Sequence, residues 1–190
     1  MGEAAKRCAV YEDLFDLPEN IVGEILNGIL ETHARPAPRH ALATSSLGGE
    51  IFKPYGRGCG GPGNWWILDE PELHLDVDIM VPDLAGWRRK RMPELPKTAW
   101  FECVPDWVCE VLSPSTGKID RAVKMPLYAH YGVEYLWLVD PDLRILEAYQ
   151  LHKRESGNQW TLLKTLRDDQ SVSLPPFTEI SFDLSVLWAS

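Results

Sequence analysis

The apolar run that decides the architecture of this chain is Trp107-Val108-Cys109-Glu110-Val111-Leu112. Near-continuous hydrophobicity of this kind is typical of a central strand that is buried on both faces. Only Glu110 interrupts it. A carboxylate inside such a strand is costly unless it is paired or binds a metal, because an unpaired buried charge is strongly disfavoured. Glu110 is therefore the first candidate for a functional residue.

The residues after this run predict a helix and a second, parallel strand. Ser115 and Thr116 are candidate N-caps, and Gly132 is a typical residue just beyond a helix C-terminus. Residues 134–139 are again apolar and predict a strand. A strand, helix and strand in this order form a right-handed parallel crossover. The sequence therefore predicts a parallel pair of strands at the centre of a sheet.

The rest of the chain predicts strands that pair antiparallel. Asn27-Gly28 supplies the positive φ angles of a tight turn, and apolar-rich runs at 21–26 and 29–32 flank it as a hairpin. Ala43, Leu47 and Ile51 recur in steps of four and predict a helix over 39–53. Further strands are predicted at 65–68, 73–80, 143–151 and 159–166. We expect one α/β domain over residues 1–190, with a mixed β-sheet flanked by helices.

Composition and charge limit the classes of function that this chain can have. The chain has 190 residues, a formal net charge of −9 and a pI of about 5.0. This acidic balance works against nonspecific nucleic-acid binding without excluding it, because such binding rests on Lys and Arg that neutralise phosphates. The sequence has no C-x-x-C pair, and we expect neither a secretory signal nor a transmembrane helix. We expect a cytoplasmic protein that does not contact a membrane.

The densest basic run is Trp87-Arg88-Arg89-Lys90-Arg91. One interpretation is a solvated loop. The other is a contact with nucleic-acid phosphates beside the active site.

A second acid and a lysine join Glu110 as site candidates. Asp83 follows Pro82 directly after a predicted strand, and pairing of two strands would bring Asp83 and Glu110 side by side. Such oxygen ligands suit Mg²⁺ or Mn²⁺. Lys124 lies on the helix that packs back on the sheet, where an ammonium group could polarise a phosphate or act on the attacking water. Glu24 in the hairpin would add a carboxylate if its side chain points inward.

Each candidate also has a structural explanation. Glu110 could form a buried salt bridge with Arg121 or Lys124, and Asp83 could cap a turn. Lys124 could form a surface ion pair with Asp120 one turn earlier. Glu24 could be an exposed strand residue. His40, at the predicted start of the first helix, is interpreted as a surface or capping residue outside the site.

The sequence resembles the Uma-two family of the PD-(D/E)XK restriction-endonuclease-like superfamily. The similarity spans roughly residues 11–188. Its most specific part is Glu-Val-Leu-Ser-Pro-Ser-Thr at 110–116 with the downstream Asp120 and Lys124, and residues 24–30, 81–84 and 132–141 add to it. The chain departs from the superfamily pattern at position 112, where Leu112 replaces the usual lysine. The Uma-two pattern has a lysine on the next helix, and Lys124 matches it.

The resemblance implies a fold, a site and an activity. The fold is the restriction-endonuclease-like mixed sheet, with Asp83, Glu110 and the carbonyl of Val111 as metal ligands and Glu24 as the acid of the first element. The activity is Mg²⁺- or Mn²⁺-dependent hydrolysis of DNA phosphodiester bonds, in a chain that would form a homodimer. Two alternatives stay open: a catalytically inactive module for binding or assembly, and a phosphodiesterase that acts on RNA.

Overall fold

The computed structural model describes residues 7–155 and 157–189. In these ranges the elements follow in this order: β1 Ile21–Leu26, β2 Ile29–Ala34, α1 Pro38–Ile51, β3 Trp65–Asp69, β4 Leu73–Leu75, β5 Asp78–Met80, β6 Leu84–Arg88, β7 Trp107–Val111, α2 Gly117–Ile119, α3 Met125–Tyr131, β8 Tyr135–Asp140, β9 Ile145–His152, β10 Gln159–Arg167, β11 Ser171–Leu174 and β12 Phe177–Asp183. A π-helical turn, Asp120–Lys124, joins α2 to α3. Among the described helices, none is long and apolar enough to cross a membrane.

The strands form a large mixed sheet, a small sheet and a two-stranded ribbon. The large sheet has the order β10-β9-β8-β7-β6-β3, and the small sheet has the order β2-β1-β5-β4. Strands β7 and β8 are parallel, whereas the other pairs of the large sheet are antiparallel. The predicted parallel crossover and the mixed α/β architecture are therefore confirmed.

Strand β7 is buried on both faces, as its apolar run predicts. Trp107, Cys109 and Val111 belong to the core that α1 and the C-terminal ribbon cover. Val108, together with the following Leu112, belongs to the core on the other face, under α3. Helices thus lie on both faces of the large sheet. Glu110 shares the α3 face, because side chains alternate along a strand.

Other local predictions are confirmed as well. Asn27 and Gly28 form the hairpin turn with φ angles of 54° and 72°. Helix α1 buries Ala43, Leu47 and Ile51, the residues whose spacing predicted it. The second helical segment ends at Gly132 in the left-handed conformation.

One prediction, a single strand over residues 73–80, is wrong, and three further strands were not predicted. Residues 73–80 form two strands, β4 and β5, because the chain turns at Asp76, whose φ is 56°. Aspartate tolerates this conformation without a glycine to announce it. Leu84–Arg88 and the two C-terminal strands also form sheet, although neither was predicted.

The interpretations of the basic run are wrong for its first two residues. Trp87 is fully buried on β6 and donates its indole N–H to the carbonyl of Cys103. Arg88 binds Asp106 and Glu134. Arg88 is the last residue of β6, whereas Asp83 directly precedes its first residue. The two therefore lie roughly 16 Å apart along an extended strand. This run is therefore not a phosphate contact beside the candidate site.

Asp106 holds three strands together immediately before β7. Its carboxylate accepts hydrogen bonds from the backbone N–H of Arg88 at 2.8 Å and from the guanidinium of the same residue. Arg91 approaches the carboxylate to 3.1 Å. The backbone of Asp106 bonds to Gly86 and Tyr135 on the neighbouring strands. The side chain is only 2% exposed, so removing it leaves the backbone N–H of Arg88 without an acceptor and takes one carboxylate partner from each of the two arginines.

We expect Asp106→Ala to lower the free energy of unfolding by about 2–3 kcal/mol, the cost of leaving donors to a charged group unsatisfied. The matched control is Asp142→Ala, because Asp142 is 55% exposed and 3.6 Å from Arg39. Such a surface pair contributes at most about 1 kcal/mol. Urea denaturation followed by tryptophan fluorescence measures both. Equal losses in the two variants would contradict the role of Asp106.

Candidate active site

Four of the predicted residues converge on one pocket of about 270 Å³. Glu24 comes from β1, Asp83 from the residue before β6, Glu110 from β7 and Lys124 from the π-helical turn. The antiparallel register of β6 and β7 pairs Leu84 with Cys109, so Asp83 lies beside Glu110 at the next step. Strand pairing thus brings together two acids that are far apart in the sequence.

Lys124 is the centre of a buried charge network. Its ammonium nitrogen lies 3.0 Å from Glu24 Oε1 and 2.8 Å from Glu110 Oε1, and it donates to the carbonyl of Val81 at 3.1 Å. Glu24 Oε1 also accepts the N–H of Val81 at 2.7 Å. Tyr128 donates its hydroxyl to Glu110. All three N–H donors of the ammonium are therefore engaged.

Asp83 uses its two carboxylate oxygens differently. Oδ2 accepts the backbone N–H of Val111 at 2.6 Å. Oδ1 lies 3.2 Å from Nε2 of His40. The first bond fixes the carboxylate against the end of β7, and the second oxygen faces the pocket.

Burial and mutual repulsion shift the pKa values of the acids. Burial raises the pKa of Glu110 well above its usual value, and the charges of Asp120 and Asp83 add to this against the opposing effect of Lys124. Burial also raises the pKa of Asp120 to about 6. Glu24 behaves in the opposite way: burial opposes its ionisation, yet Lys124, His33 and Val81 together lower its pKa to about 2.

Lys124 remains an ammonium group. Burial acts to lower its pKa, but the charges of Glu110 and Glu24 outweigh burial and raise the pKa well above its usual value. Lys124 is therefore a source of positive charge and hydrogen-bond donors, and it does not act as a base.

The structural alternatives have different outcomes. The salt bridge between Glu110 and Lys124 exists, whereas Arg121 binds Glu147 instead. Glu24 is 3% exposed and Lys124 is 3% exposed, so neither lies on the surface. Asp120 is also buried and lines the pocket, which excludes a surface ion pair with Lys124.

The pocket also contains residues that the sequence analysis left out of the site. His40 is buried on α1, so its interpretation as a surface or capping residue is wrong. The spacing of His40 from Ala43, Leu47 and Ile51 puts it on the same helix face, and that signal could have found it. His33 lies 3.8 Å from Glu24 Oε2. The predicted hairpin could have found this contact, because Glu24 pairs with Glu31 and His33 lies two residues further along the same face of β2.

Among residues 7–155 and 157–189, no group of three or more His, Cys, Asp or Glu side chains is arranged to hold a metal ion. Asp83 and Glu110 are the adjacent pair, because the pairing of β6 with β7 places them side by side. Any third side chain that holds a cation with them would have to shift toward it.

We expect Lys124→Met to lower the free energy of unfolding by about 3–5 kcal/mol, because it leaves two buried carboxylates without their counter-charge. The matched control is Lys118→Met on the exposed side of α2. A surface change of this kind stays within about 0.5 kcal/mol. Urea denaturation of both variants checks the difference. If Lys124→Met unfolds at the same urea concentration as Lys118→Met, the network does not stabilise the fold.

Comparisons with known proteins show the family and the fold of the chain. The profile of the Uma2 family, described as "Putative restriction endonuclease", matches residues 11–187. A crystal structure from Anabaena variabilis, described as a "putative nuclease belonging to DUF820", superposes with a TM-score of 0.70 at 19% sequence identity. The match covers 93% of this chain and 95% of that chain, and it shows a common fold. No protein of curated function matches the sequence.

The family match extends from the short helical turn Tyr11–Leu14 to the short helical turn Leu184–Leu187. It includes every element that contributes a side chain to the pocket. The chain therefore belongs to the Uma2 family of restriction-endonuclease-like proteins.

Proposed function

We propose that this protein is a metal-dependent nuclease that hydrolyses DNA phosphodiester bonds with Mg²⁺ or Mn²⁺ in the pocket of Asp83, Glu110 and Lys124. One observation carries the proposal: two adjacent acids, a third acid and a buried lysine come from four separate elements and meet in one pocket. Stability does not require such a concentration of buried charge, since apolar residues of similar size often serve as well or better.

The chemistry of the donors fits a divalent cation. Five carboxylates line the pocket (Glu24, Glu70, Asp83, Glu110 and Asp120), and Lys124 and Arg35 compensate for only part of their charge. A cation held through two carboxylates, with water completing its shell, is the usual arrangement for Mg²⁺. Asp83, Glu110 and the carbonyl of Val111 would hold it. When bound, the cation supplies a Lewis acid for the phosphate oxygen and lowers the pKa of a bound water.

The side chains around these acids set the geometry of the reaction. Lys124 and Tyr128 both donate to Oε1 of Glu110, which leaves Oε2 to face the pocket. The N–H of Val111 fixes Asp83 in the same way. The ammonium of Lys124 also places a positive charge where a pentavalent phosphate gains negative charge. Glu24 holds that ammonium in place.

DNA is the substrate we propose, and a homodimer would bring two such pockets to the two strands of a duplex. RNA offers the same phosphodiester group, so both must be tested. A specific observation supports the rival function of a non-catalytic binding module: in the described ranges no three potential ligands are grouped around a metal position.

The first experiment is cleavage of fluorescently labelled duplex DNA, single-stranded DNA and RNA with Mg²⁺, Mn²⁺ or EDTA. We expect cleavage of DNA that requires the metal. We expect Asp83→Asn and Glu110→Gln to lower kcat/KM by about a thousandfold, because each removes a ligand worth several kcal/mol of transition-state stabilisation.

The controls are Asp169→Asn and Glu155→Gln, which make the same chemical changes at exposed positions away from the pocket. They should cleave like the wild type. Circular dichroism confirms that each variant is folded. Cleavage that persists in Asp83→Asn and Glu110→Gln would disprove the assignment. Absence of cleavage of any substrate, together with absence of Mn²⁺ binding, would favour the non-catalytic module.

A further inference from the structure

His40 is a buried histidine that contacts Asp83. It lies on the first turn of α1 and is 8% exposed. Its Nε2 atom is 3.2 Å from Oδ1 of Asp83. This is the oxygen that faces the pocket, because Oδ2 is bound by the N–H of Val111. The imidazole therefore lies next to Oδ1 of Asp83, the oxygen that would bind the proposed cation.

Thr44, one turn further along α1, holds the other side of the ring. Its hydroxyl donates to the carbonyl of His40 at 3.0 Å, and the hydroxyl oxygen lies 3.5 Å from Nδ1. The hydroxyl proton is used by the carbonyl, so the oxygen faces Nδ1 as an acceptor. In the structure Nε2 lies within hydrogen-bond distance of Oδ1 of Asp83 and donates its proton to it. A cation that displaced this proton would meet the lone pair of Nε2, with the remaining ring proton on Nδ1 facing Thr44. Histidines that bind metals are oriented in this way, by a partner on the second ring nitrogen.

We propose that His40 is a further ligand of the cation and makes the pocket prefer Mn²⁺ to Mg²⁺. The inference rests on the proposed function, since it concerns the same cation. An imidazole nitrogen suits transition metals, whereas Mg²⁺ takes oxygen ligands almost exclusively. A pocket of carboxylates and water alone would discriminate less between the two ions.

The other histidine of the pocket shows what distinguishes His40. His33 lies 3.8 Å from Oε2 of Glu24. Glu24 is already bound by Lys124 and by the N–H of Val81. His40 instead contacts an acid whose second oxygen has no other partner among the described residues. Of the two rings, only that of His40 adjoins the proposed cation site.

The direct test is electron spin echo envelope modulation of Mn²⁺ bound to the full chain. Imidazole nitrogen bound to Mn²⁺ produces a ¹⁴N modulation. We expect this signal in the wild type and in His152→Gln, a control at an exposed histidine at the end of β9. We expect His40→Gln to lose it while Mn²⁺ is still bound. Glutamine keeps a polar side chain at the buried position, and circular dichroism confirms the fold.

Isothermal titration calorimetry gives the second readout. We expect His40→Gln to weaken Mn²⁺ binding by roughly tenfold or more, by analogy with the loss of a residue that orients a ligand. The affinity for Mg²⁺ should change much less, so the preference for Mn²⁺ shrinks. Thr44→Val removes the partner of Nδ1 and should weaken Mn²⁺ binding in the same direction, with the ¹⁴N signal retained.

The outcomes separate this inference from the proposed function. If Asp83→Asn abolishes Mn²⁺ binding but His40→Gln keeps both the ¹⁴N modulation and the Mn²⁺ affinity, His40 is not a ligand and the nuclease proposal stands. If His40→Gln weakens Mg²⁺ and Mn²⁺ equally, the claim of selectivity is wrong. If the wild type binds no Mn²⁺ with or without a DNA duplex, both proposals are overturned.

Discussion

The ammonium of Lys124 lies between two buried carboxylates that belong to different sheets. Glu24 is part of the small sheet and Glu110 is part of the large one. The peptide of Val81, in the chain segment that connects the two sheets, gives its carbonyl to Lys124 and its N–H to Glu24. Each of these buried groups would be expensive alone, because charges without partners are not tolerated in an interior. The network therefore fixes how the small sheet sits against the large one, and the pocket lies where they meet.

The buried charge network around Lys124 leaves the pocket rich in negative charge. Lys124 serves Glu24 and Glu110, but Asp83 and Asp120 also line the pocket. Burial and the neighbouring acids raise the pKa of Asp120 to about 6, which is the cost of keeping these groups together. Perturbed carboxylates in a concave site are a recognised mark of function, although structural networks also produce them. An acidic chain can thus still act on an anionic polymer if a cation mediates the contact.

The sequence predicted what depends on neighbours along the chain. The Asn27-Gly28 turn, the buried strand around Glu110 and the helix end at Gly132 each follow from a local preference that the tertiary structure does not oppose. The split of residues 73–80 was missed because a turn at Asp76 carries no glycine or proline signal. His40 was missed for a different reason: its spacing from Ala43 indicates burial, but its contact with Asp83 depends on the packing of α1 against the large sheet, which no local pattern specifies.

Lys124 lies close to Glu110 in space although the two residues are far apart in the sequence. Residue 112 continues the α3-facing side of β7 beyond Glu110, and Leu112 fills it as part of the apolar core. The helix that covers this core passes directly over the same face, with Tyr128 bonded to Glu110 one turn after Lys124. A lysine on that helix can therefore reach Glu110 without interrupting the apolar packing at 112. What the charge network requires is an ammonium group near the acid, and in this chain the covering helical segment supplies it. The spacing of acid and lysine along the sequence therefore follows from the element that carries the lysine.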